Sequence, residues 1–550
     1  MSIPIQDEHT LTKKAFWKDP ENALCLVFVL YAVFYSLWQF FGYTFDRIPG
    51  DLIDSRFNNY ILEHGYRYLC GRDASFWNAP FNYPEPNIMA YSDSFLGQLP
   101  FYAFFRVLGF NRESAYQCWL ISAYLLNFFV CAWVCFKLSG NKTASIVGAY
   151  IFAFGTSILD QSNHTQMTAR YPIALAFYFL ILFLRQQRHR WFLLFLGSML
   201  LLFLNSIYLG FLLSLGLVPF GIGYLLVYRK ELSFRAFFRP KQLLLCGIYL
   251  LGFGLLMHAY FLPYIKHSAL GNFSPNREDV FESLPRLTSY LMTSKEAASW
   301  QSLWTHPDGL KNFYNHFLFP GGMVMLSMLL LVVVSFWRRF FTKSPVSAPQ
   351  LKLARLFLFS FVCLLLLTVR SRYLMLYKYV YPIPGFGVMR DLCRVVNIEF
   401  FLYALIAALF SAYFLSKITK TWVRMVISSL LLFLLFFDLH YDYEMAGTYS
   451  KAETQHDCRA LADKIKQTPA YNTYEAVAFM PEKDDRFTFI IHLDAMLACQ
   501  DLGIKTVNSY TGTCPGSYCH FASMHSMDGL KEWFSSVHLA LDSTRILIVR

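Results

Sequence analysis

The sequence predicts a polytopic α-helical membrane protein with a small α/β domain at its C-terminal end. Of its 550 residues, 56% are hydrophobic and only 15% are charged, whereas a soluble domain carries roughly 25% charged residues. Apolar runs long enough to cross a bilayer recur along the chain, but the stretch 438–550 has none. The modest numbers of Gly, Pro and Cys exclude collagen-like, disordered and disulfide-scaffold classes.

About eleven apolar runs are predicted to span the membrane. They cover residues 23–44, 117–138, 143–159, 171–185, 191–206, 207–228, 242–264, 317–337, 353–370, 398–416 and 421–437. The fifth and sixth runs form one continuous stretch, and we expect a turn near Asn205 to divide them. The first run is too long for a cleaved signal and follows a polar stretch, so it is interpreted as an uncleaved anchor.

The distribution of basic residues predicts the orientation. With a cytoplasmic N-terminus (1–22), every short inner connection is basic, as the positive-inside rule requires. The residues concerned are Lys13, Lys14, Lys18, Lys137, Lys142, Arg185, Arg188, Arg190, Arg229, Lys230, Arg235, Arg239, Lys241, Arg338, Arg339, Lys343, Lys352, Lys417 and Lys420. This distribution explains the net charge of +12 without nucleic acid. We expect an integral membrane protein with its N-terminus in the cytoplasm.

The long connections all fall on the outer side in this arrangement. They are the loops 45–116, 265–316 and 371–397 of a transmembrane domain covering 23–437, followed by an extracytoplasmic domain at 438–550. Long segments of this kind are uncommon unless they are functional. We therefore expect the chemistry on the outer, periplasmic face.

The C-terminal domain shows alternating helix and strand patterns. Helices are predicted near 453–467 and 527–541, and strands at Tyr474–Met480, Phe487–Ile491 and Arg545–Arg550. A small α/β domain is the interpretation that fits this alternation.

Two carboxylates open the first outer loop. Asp51 and Asp54 follow a Pro-Gly turn at spacing i, i+3, so they share one face of a helix predicted over 55–69, which also carries Arg56 and His64. This helix has the pattern of an amphipathic segment at the membrane surface. One carboxylate could simply cap the helix. The functional alternative is a general base that takes a proton from an acceptor hydroxyl.

Aromatic and amide residues fill the rest of this loop. The turns at 77–87 and 91–97 offer stacking faces and hydrogen-bond donors suited to a polar ring, or else form a rigid Pro-rich connection. Asp93 is predicted either to bind such a ligand or to cap a second interfacial helix. His164 lies at the rim of the same face, where a lone His is more often an anchor than a catalyst.

A basic outer segment departs from the charge rule. Arg370, Arg372 and Lys378 precede Arg390 and Arg394, and Arg forks grip phosphate oxygens in bidentate fashion. A lipid-linked phosphate at the outer leaflet fits this segment. The alternative is contact with phospholipid headgroups together with an Arg390–Asp391–Glu399 ion-pair network.

Four cysteines of the C-terminal domain are candidate disulfide partners. Pairs Cys514–Cys519 and Cys458–Cys499 are expected in an oxidising compartment, with zinc as the alternative. The sequence contains no P-loop, no GxGxxG after a strand, no HExxH and no serine elbow. A nucleotide-driven or redox enzyme is therefore not predicted, and nothing indicates nucleic-acid binding.

Several short motifs resemble a group of large bacterial membrane proteins described as glycosyltransferases of the C type (GT-C), or YfhO-like membrane proteins. The matching stretches are 50–64, 77–97, 163–164, 319–321 and 507–512. The resemblance implies a polyprenyl-phosphate-linked sugar donor, catalysis on the extracytoplasmic face, a base at Asp51 or Asp54 and a phosphate grip at Arg390 and Arg394. It leaves a divalent metal open. Where an acidic residue would precede Phe-Pro-Gly, this chain has Asn315 and His316.

These observations favour an inverting glycosyltransferase acting on an unknown acceptor. Its catalytic candidates are Asp51 and Asp54, and its substrate-binding candidates are Arg56, His64, Asp93, His164, Arg390 and Arg394. Two alternatives stay open: a flippase or transporter of lipid-linked glycans, and a non-catalytic membrane protein with an outer sensing domain. A transporter would need polar groups spread through its spans.

Overall fold

The computed structural model describes residues 19–231, 239–269, 276–304, 310, 313–341, 349–481, 486–512, 517–542 and 544–550. This part of the chain is mostly helical, and nine of its helices are long and apolar enough to cross a membrane, with two shorter apolar helices at His189–Asn205 and Gly322–Trp337. Together they correspond one to one to the eleven predicted runs. The predicted class, a polytopic helical membrane protein with a C-terminal α/β domain, is confirmed.

The α-helices are numbered here in chain order. They are α1 (Pro20–Phe28), α2 (Phe34–Phe41), α3 (Asp54–Leu69), α4 (Leu99–Val107), α5 (Arg112–Ser139), α6 (Lys142–Phe154), α7 (Thr156–Leu159), α8 (Tyr171–Gln186), α9 (His189–Asn205), α10 (Ile207–Tyr228), α11 (Pro240–Ala269), α12 (Arg277–Glu282), α13 (Gly322–Phe341), α14 (Pro349–Thr368), α15 (Val396–Leu415), α16 (Thr421–Asp438), α17 (Lys451–Lys466), α18 (Thr488–Leu502), α19 (Tyr518–Met524) and α20 (Met527–Ser536). The strands are β1 (Arg47–Pro49), β2 (Thr448–Ser450), β3 (Ala476–Phe479), β4 (Lys505–Thr506) and β5 (Ile546–Val549).

The helices of the bundle differ sharply in burial. Helix α15 is apolar all round and buried along nearly its whole length, and it packs against α6 and α14 at the centre. Gly148 of α6 permits close contact there, because a Cβ atom would lie 2.8 Å from the Ala404 carbonyl oxygen. Helix α11 is the opposite case. Only 6% of the residues in its apolar stretch are buried, and it packs mainly on α9. Its exposed apolar surface suits contact with lipid.

The break between α9 and α10 lies where the sequence predicts a turn. Ser206 is extended, with φ −156°, and the chain enters α10 at Ile207. The Ile207 N–H donates to the Asp93 carboxylate at 2.8 Å, so a loop residue far away in sequence caps the new helix. Asp93 does not open a helix of its own, contrary to the expectation of an interfacial helix starting there.

The C-terminal domain is built on a parallel sheet of order β4-β3-β5. Helix α18 connects β3 to β4, and α19 and α20 lie between β4 and β5. A separate antiparallel pair, β1 with β2, joins the start of this domain to the start of the first loop. The carboxyl ends of the parallel strands are the edge at which ligands bind in such sheets.

One predicted strand of this domain is wrong. Residues 487–491 begin helix α18 instead, and this helix is buried from Ile491 to Gln500. It packs between the sheet and α3, so it is apolar on more than one side. A short apolar run of this kind does not distinguish a strand from a buried helix.

Helix α3 has the predicted bounds but not the predicted environment. Its residues from Ser55 to Gly65 are all buried, because α4 and α5 pack on one side and α18 of the C-terminal domain packs on the other. The helix is therefore enclosed between the bundle and the C-terminal domain instead of lying half exposed at the membrane surface.

Candidate functional site

A cavity of about 1330 Å³ lies where segments far apart in the sequence meet. We call its two sides the polar wall and the apolar wall. The polar wall includes Asp54, Asn58, Asp93, Gln166, Arg390, Arg394 and Tyr510. The apolar wall, from helices α9, α10 and α11, includes Met199, Phe203, Phe211, Phe253, Met257 and Phe261. The first loop and the 371–397 segment, predicted to share one site, do line the same cavity.

The turn before α3 sets the position of Asp54. Gly50 has φ +112°, and a Cβ atom there would lie 1.7 Å from the Ser55 hydroxyl, so the turn requires glycine. The Gly50 N–H also donates to the Gly447 carbonyl at 2.8 Å, which ties the turn to the β1–β2 pair. Asp54 is the first residue of α3 and is thereby aimed into the cavity.

Both carboxylate oxygens of Asp54 accept hydrogen bonds. The Tyr510 hydroxyl donates to Oδ1, and His164 contacts Oδ2 through Nδ1 at 3.1 Å. Burial alone would raise the pKa of Asp54, but these two hydrogen bonds and the Arg394 charge outweigh burial and hold the pKa below its ordinary value. Asp54 is therefore ionised at neutral pH.

The contacts of His164 fix its tautomer. Arg394 Nη2 lies 3.3 Å from His164 Nε2, and a guanidinium can only donate. Nε2 must therefore accept, so the proton is on Nδ1 and is donated to Asp54. The imidazole thereby links the carboxylate to the guanidinium.

Two arginines bring positive charge to the same wall. Arg394 stacks on the Tyr208 ring, with 4.6 Å from its guanidinium carbon to the ring centroid, and lies 3.7 Å from the Asp391 carboxylate. The Arg390 backbone N–H donates to the Tyr208 hydroxyl at 2.8 Å, and its side chain donates to the Gly512 carbonyl. The alternative Arg390–Asp391–Glu399 network does not form, because Asp391 pairs with Arg394 and Glu399 accepts from Tyr290.

Asp93 is the second carboxylate of the cavity. It accepts from the Ile207 N–H at 2.8 Å and from the Ser206 hydroxyl at 3.3 Å. Burial raises the pKa of Asp93 to about 6, although these two donors and Arg394 oppose the rise. Asp93 thus faces the cavity, and the helix that it caps is α10 and not the predicted interfacial helix.

Besides His164, which contacts the lining residues Asp54 and Arg394 without lining the cavity itself, three predicted site residues lie outside the cavity. Asp51 accepts from the N–H groups of Ile53 and Ser55, at 3.1 and 3.2 Å, which is the capping alternative. Arg56 is buried against Asp494 of the C-terminal domain. His64 is also buried, donating from Nε2 to the Phe76 carbonyl and contacting Asp73 through Nδ1, both at 2.9 Å. None of the three lines the cavity.

The predicted Cys458–Cys499 disulfide is wrong. Both thiols are free and buried, with Cys458 beside Arg56 and Cys499 in the core of the C-terminal domain. Helices α17 and α18 hold them on separate surfaces, which their sequence spacing did not reveal. Cys519 is disulfide-bonded, and Cys514 lies outside the described residues.

Sequence reasoning assigned no role to Tyr510, which the structure brings to Asp54. This residue follows β4 at the carboxyl edge of the parallel sheet, and the segment from Tyr510 to Gly512 lines the cavity. A strand followed by polar turn residues is the available signal, since that edge is where open α/β sheets bind ligands. Tyr208 could not be singled out, because it looks like any interfacial aromatic.

The described residues do not form a cluster of side chains that could bind a divalent metal ion. Among them, no group of three or more His, Cys, Asp and Glu side chains is arranged to hold an ion. The oxygens of Asp54 already accept from Tyr510 and His164. We therefore derive no chemical step through a metal.

Comparison with known proteins gives a likeness in structure but none in sequence. No protein-family model matches the chain, and no curated protein matches it in sequence. Its fold is similar to an archaeal oligosaccharyltransferase, AglB from Archaeoglobus fulgidus, in complex with an inhibitory peptide and a dolichol-phosphate. That likeness has a TM-score of 0.45 and 13% sequence identity, covering 90% of this chain. The chain spans 65% of the length of the AglB chain.

Proposed function

We propose that this membrane protein is an inverting glycosyltransferase that moves a sugar from a polyprenyl-phosphate donor to a hydroxyl acceptor in the site cavity. The observation that carries the proposal is the link from Asp54 through His164 to Arg394. It joins a candidate base to a candidate phosphate-binding group in one cavity, and the opposite wall of that cavity is apolar. The motif resemblance to GT-C glycosyltransferases supports the same reaction.

The reaction needs one base and one stabilised leaving group. The acceptor oxygen attacks the anomeric carbon, the bond from that carbon to the phosphate oxygen breaks, and the hydroxyl proton goes to Asp54. The polyprenyl phosphate leaves with the bonding electrons, and its negative charge is stabilised by Arg394 and Arg390. Attack from the face opposite the phosphate inverts the anomeric configuration.

His164 is a positioning residue in this scheme. Its Nδ1–H orients one oxygen of Asp54, and its Nε2 holds the Arg394 guanidinium. The imidazole thereby fixes the separation between the base and the cation. Preorganised charges of this kind stabilise a transition state without reorganisation during the reaction.

The acceptor is proposed to enter beside the C-terminal domain. The Tyr510 hydroxyl donates to the Oδ1 atom of Asp54, which is the bond that an acceptor hydroxyl would need to make. Tyr510 thus imitates an acceptor and would be displaced by one. The carboxyl edge of the parallel sheet supplies this residue, which agrees with ligand binding at such edges.

The apolar wall suits the isoprenoid chain of the donor. Phe253, Met257 and Phe261 of α11 line the cavity together with Phe203 and Phe211, and the Phe261 ring packs directly on these two rings. Since α11 is scarcely buried, a long hydrocarbon can leave the cavity along this helix into the lipid. This arrangement fits a donor anchored in the bilayer, with the sugar held at the polar wall.

The two neighbouring carboxylates provide a matched test. Asp54→Asn should lower transfer from synthetic polyprenyl-phosphate sugars to envelope glycans by about a thousandfold or more, because it removes the base. Asp51→Asn keeps a cap acceptor and should retain at least about a third of the activity. The measurement is release of polyprenyl phosphate by purified protein in lipid nanodiscs.

Equal activity of both variants would overturn the role of Asp54. Translocation of the donor without its consumption would overturn the enzyme proposal and favour the transporter. Because the site cavity is predicted to face the extracytoplasmic side of a bacterial inner membrane, the same assay in oriented vesicles also tests the topology.

A further inference from the structure

A second cavity lies at the opposite ends of the helices that form the apolar wall. It has a volume of about 450 Å³, and the described residues that line it are all polar or basic: Gln186, Gln187, Arg188, His189, Arg190, Arg239 and Gln242. They belong to the end of α8, the start of α9 and the start of α11. Helix α9 runs from this basic pocket to the site cavity, a length of about 25 Å.

Contacts among the pocket residues leave its arginines available. The Trp191 indole donates to Gln186 at 2.9 Å, the His189 N–H donates to Gln242 at 3.2 Å, and the His189 ring meets the Tyr249 hydroxyl at 3.1 Å. These hydrogen bonds connect residues around the basic pocket, and none of them involves an arginine side chain. The guanidinium carbon of Arg190 lies 4.5 Å from the centroid of the Trp191 ring, so this side chain stacks on the indole.

The positive charge of the pocket is not neutralised internally. Its lining contains three arginines and no carboxylate. Elsewhere on this face, Asp19 pairs with Lys142 and Glu231 pairs with Lys352. Within the described ranges, no ion pair joins a carboxylate to Arg188, Arg190 or Arg239. Three guanidinium groups in one pocket near the predicted headgroup region of a membrane favour the binding of an anion. A planar guanidinium can donate two parallel hydrogen bonds to the oxygens of a phosphate.

We propose that the basic pocket binds the headgroup of an anionic phospholipid. The apolar surface of α11 beside it selects a lipid over a soluble phosphate, because Leu243, Leu244 and Leu251 are 48%, 65% and 65% exposed there. Acyl chains can lie along this surface while the headgroup phosphate sits among the arginines. The lipid would join α9 to α11, and these two helices also form most of the apolar wall.

This site is independent of the proposed glycosyl transfer. The residues of the basic pocket do not line the site cavity. Its occupancy would nevertheless hold α11, which packs mainly on α9 within the bundle. A bound anionic lipid would thus stabilise the lipid-facing side of the site cavity from the opposite face of the membrane.

The test is lipid retention by the full chain, measured by native mass spectrometry. The purified protein is titrated with phosphatidylglycerol, phosphatidylcholine or inorganic phosphate. Wild type should bind phosphatidylglycerol at least about tenfold more tightly than phosphatidylcholine. The triple variant R188Q/R190Q/R239Q should lose that preference. The matched control K417Q/K420Q/R424Q removes two basic residues from another connection predicted on the same face and one from the first turn of α16, and it should keep the preference.

Each other result counts against the site. Equal binding of the two lipids by wild type, an unchanged preference in the triple variant, or a lost preference in the control variant would overturn the proposal. Displacement of phosphatidylglycerol by millimolar inorganic phosphate alone would assign the pocket to a soluble phosphate. Should the triple variant fold poorly, R239Q alone, at the first turn of α11, should weaken phosphatidylglycerol binding about threefold or more, and no change would overturn the assignment.

Discussion

The two walls of the site cavity are built on opposite principles. On the polar wall, Asp54, Arg394 and Tyr510 come from three distant segments. Tyr510 donates to Asp54, and His164, which does not itself line the cavity, contacts both Asp54 and Arg394. On the apolar wall, only 6% of the residues in the apolar stretch of α11 are buried. Fixed polar groups suit a transition state whose charges develop at defined positions. A loosely packed apolar wall suits a long hydrocarbon with many conformations.

The contrast teaches where rigidity is needed. The apolar wall comes from helices α9, α10 and α11 of the bundle, whereas the C-terminal domain pairs its Asp494 with Arg56 and its Tyr510 with Asp54. The C-terminal domain therefore holds α3 in place, and with it Asp54, the proposed base. Substitutions on the polar wall should act on catalysis, whereas substitutions that only loosen α11 should act on donor affinity.

The largest effect that sharpens this comparison concerns Arg394. Arg394→Gln removes the cation, the stack on Tyr208 and the donor to His164, so transfer should fall by about a hundredfold or more. Steady-state release of polyprenyl phosphate measures it. Arg372→Gln is the matched control, because Arg372 belongs to the same predicted loop but does not line the cavity. A similar loss in both variants would show a general effect of charge and would contradict the role of Arg394.

Most charged residues of the polar wall can be proposed from the sequence, but which of them hydrogen-bond to one another cannot. Asp54 is a candidate because it follows a Pro-Gly turn, and Arg390 and Arg394 because they lie in a basic segment predicted on the outer side. Asp93 and His164 are candidates because they lie in outer loops of the same face. Composition and apolar run length also predicted the helices, since a bilayer imposes a minimum length. The choice between Asp51 and Asp54 depends on one turn at Gly50, whose geometry directs one carboxylate to backbone N–H groups and the other into the cavity.

Arg56 and His64 show the limit of motif reasoning. Both are charged or titratable residues on the helix that carries Asp54, yet they pair with Asp494 and Asp73. Helical spacing gives the face on which a side chain lies but not what covers that face. Here the C-terminal domain covers it, through a contact 438 residues away in the sequence. Tyr510 was missed for the same reason.

A smaller effect is expected from Tyr510→Phe. The Tyr510 hydroxyl is one of the donors that lower the pKa of Asp54, so its removal should raise that pKa and move the acid limb of the kcat/KM profile to higher pH by up to about one unit. The apparent KM for the acceptor should fall, because the internal competitor is gone. The measurement is transfer rate against pH at several acceptor concentrations.

Tyr83→Phe is the matched control for that experiment. Tyr83 also donates to a carboxylate, Glu475 at 2.6 Å, but this pair joins the first outer loop to the C-terminal domain, and neither residue lines the cavity. The control should leave the acid limb unchanged. If Tyr510→Phe also leaves it unchanged, then Tyr510 does not hold the base, and the acceptor would have to approach Asp54 from another side.

The smallest effect concerns Asp93, which joins the two walls by capping α10. Its pKa is about 6 in the folded chain against an ordinary 3.8, so the folded state holds this proton more tightly, and the free energy of unfolding falls as pH rises through roughly 4 to 6. Asp93→Asn keeps an acceptor for Ile207 but cannot titrate. Between about pH 5 and about pH 7.5, wild type should lose about 1 kcal/mol relative to this variant. Denaturant unfolding in detergent measures the difference, and the exposed Asp528→Asn serves as control. A pH-independent difference would mean that Asp93 is solvated, and that the polar wall is more open than its hydrogen bonds indicate.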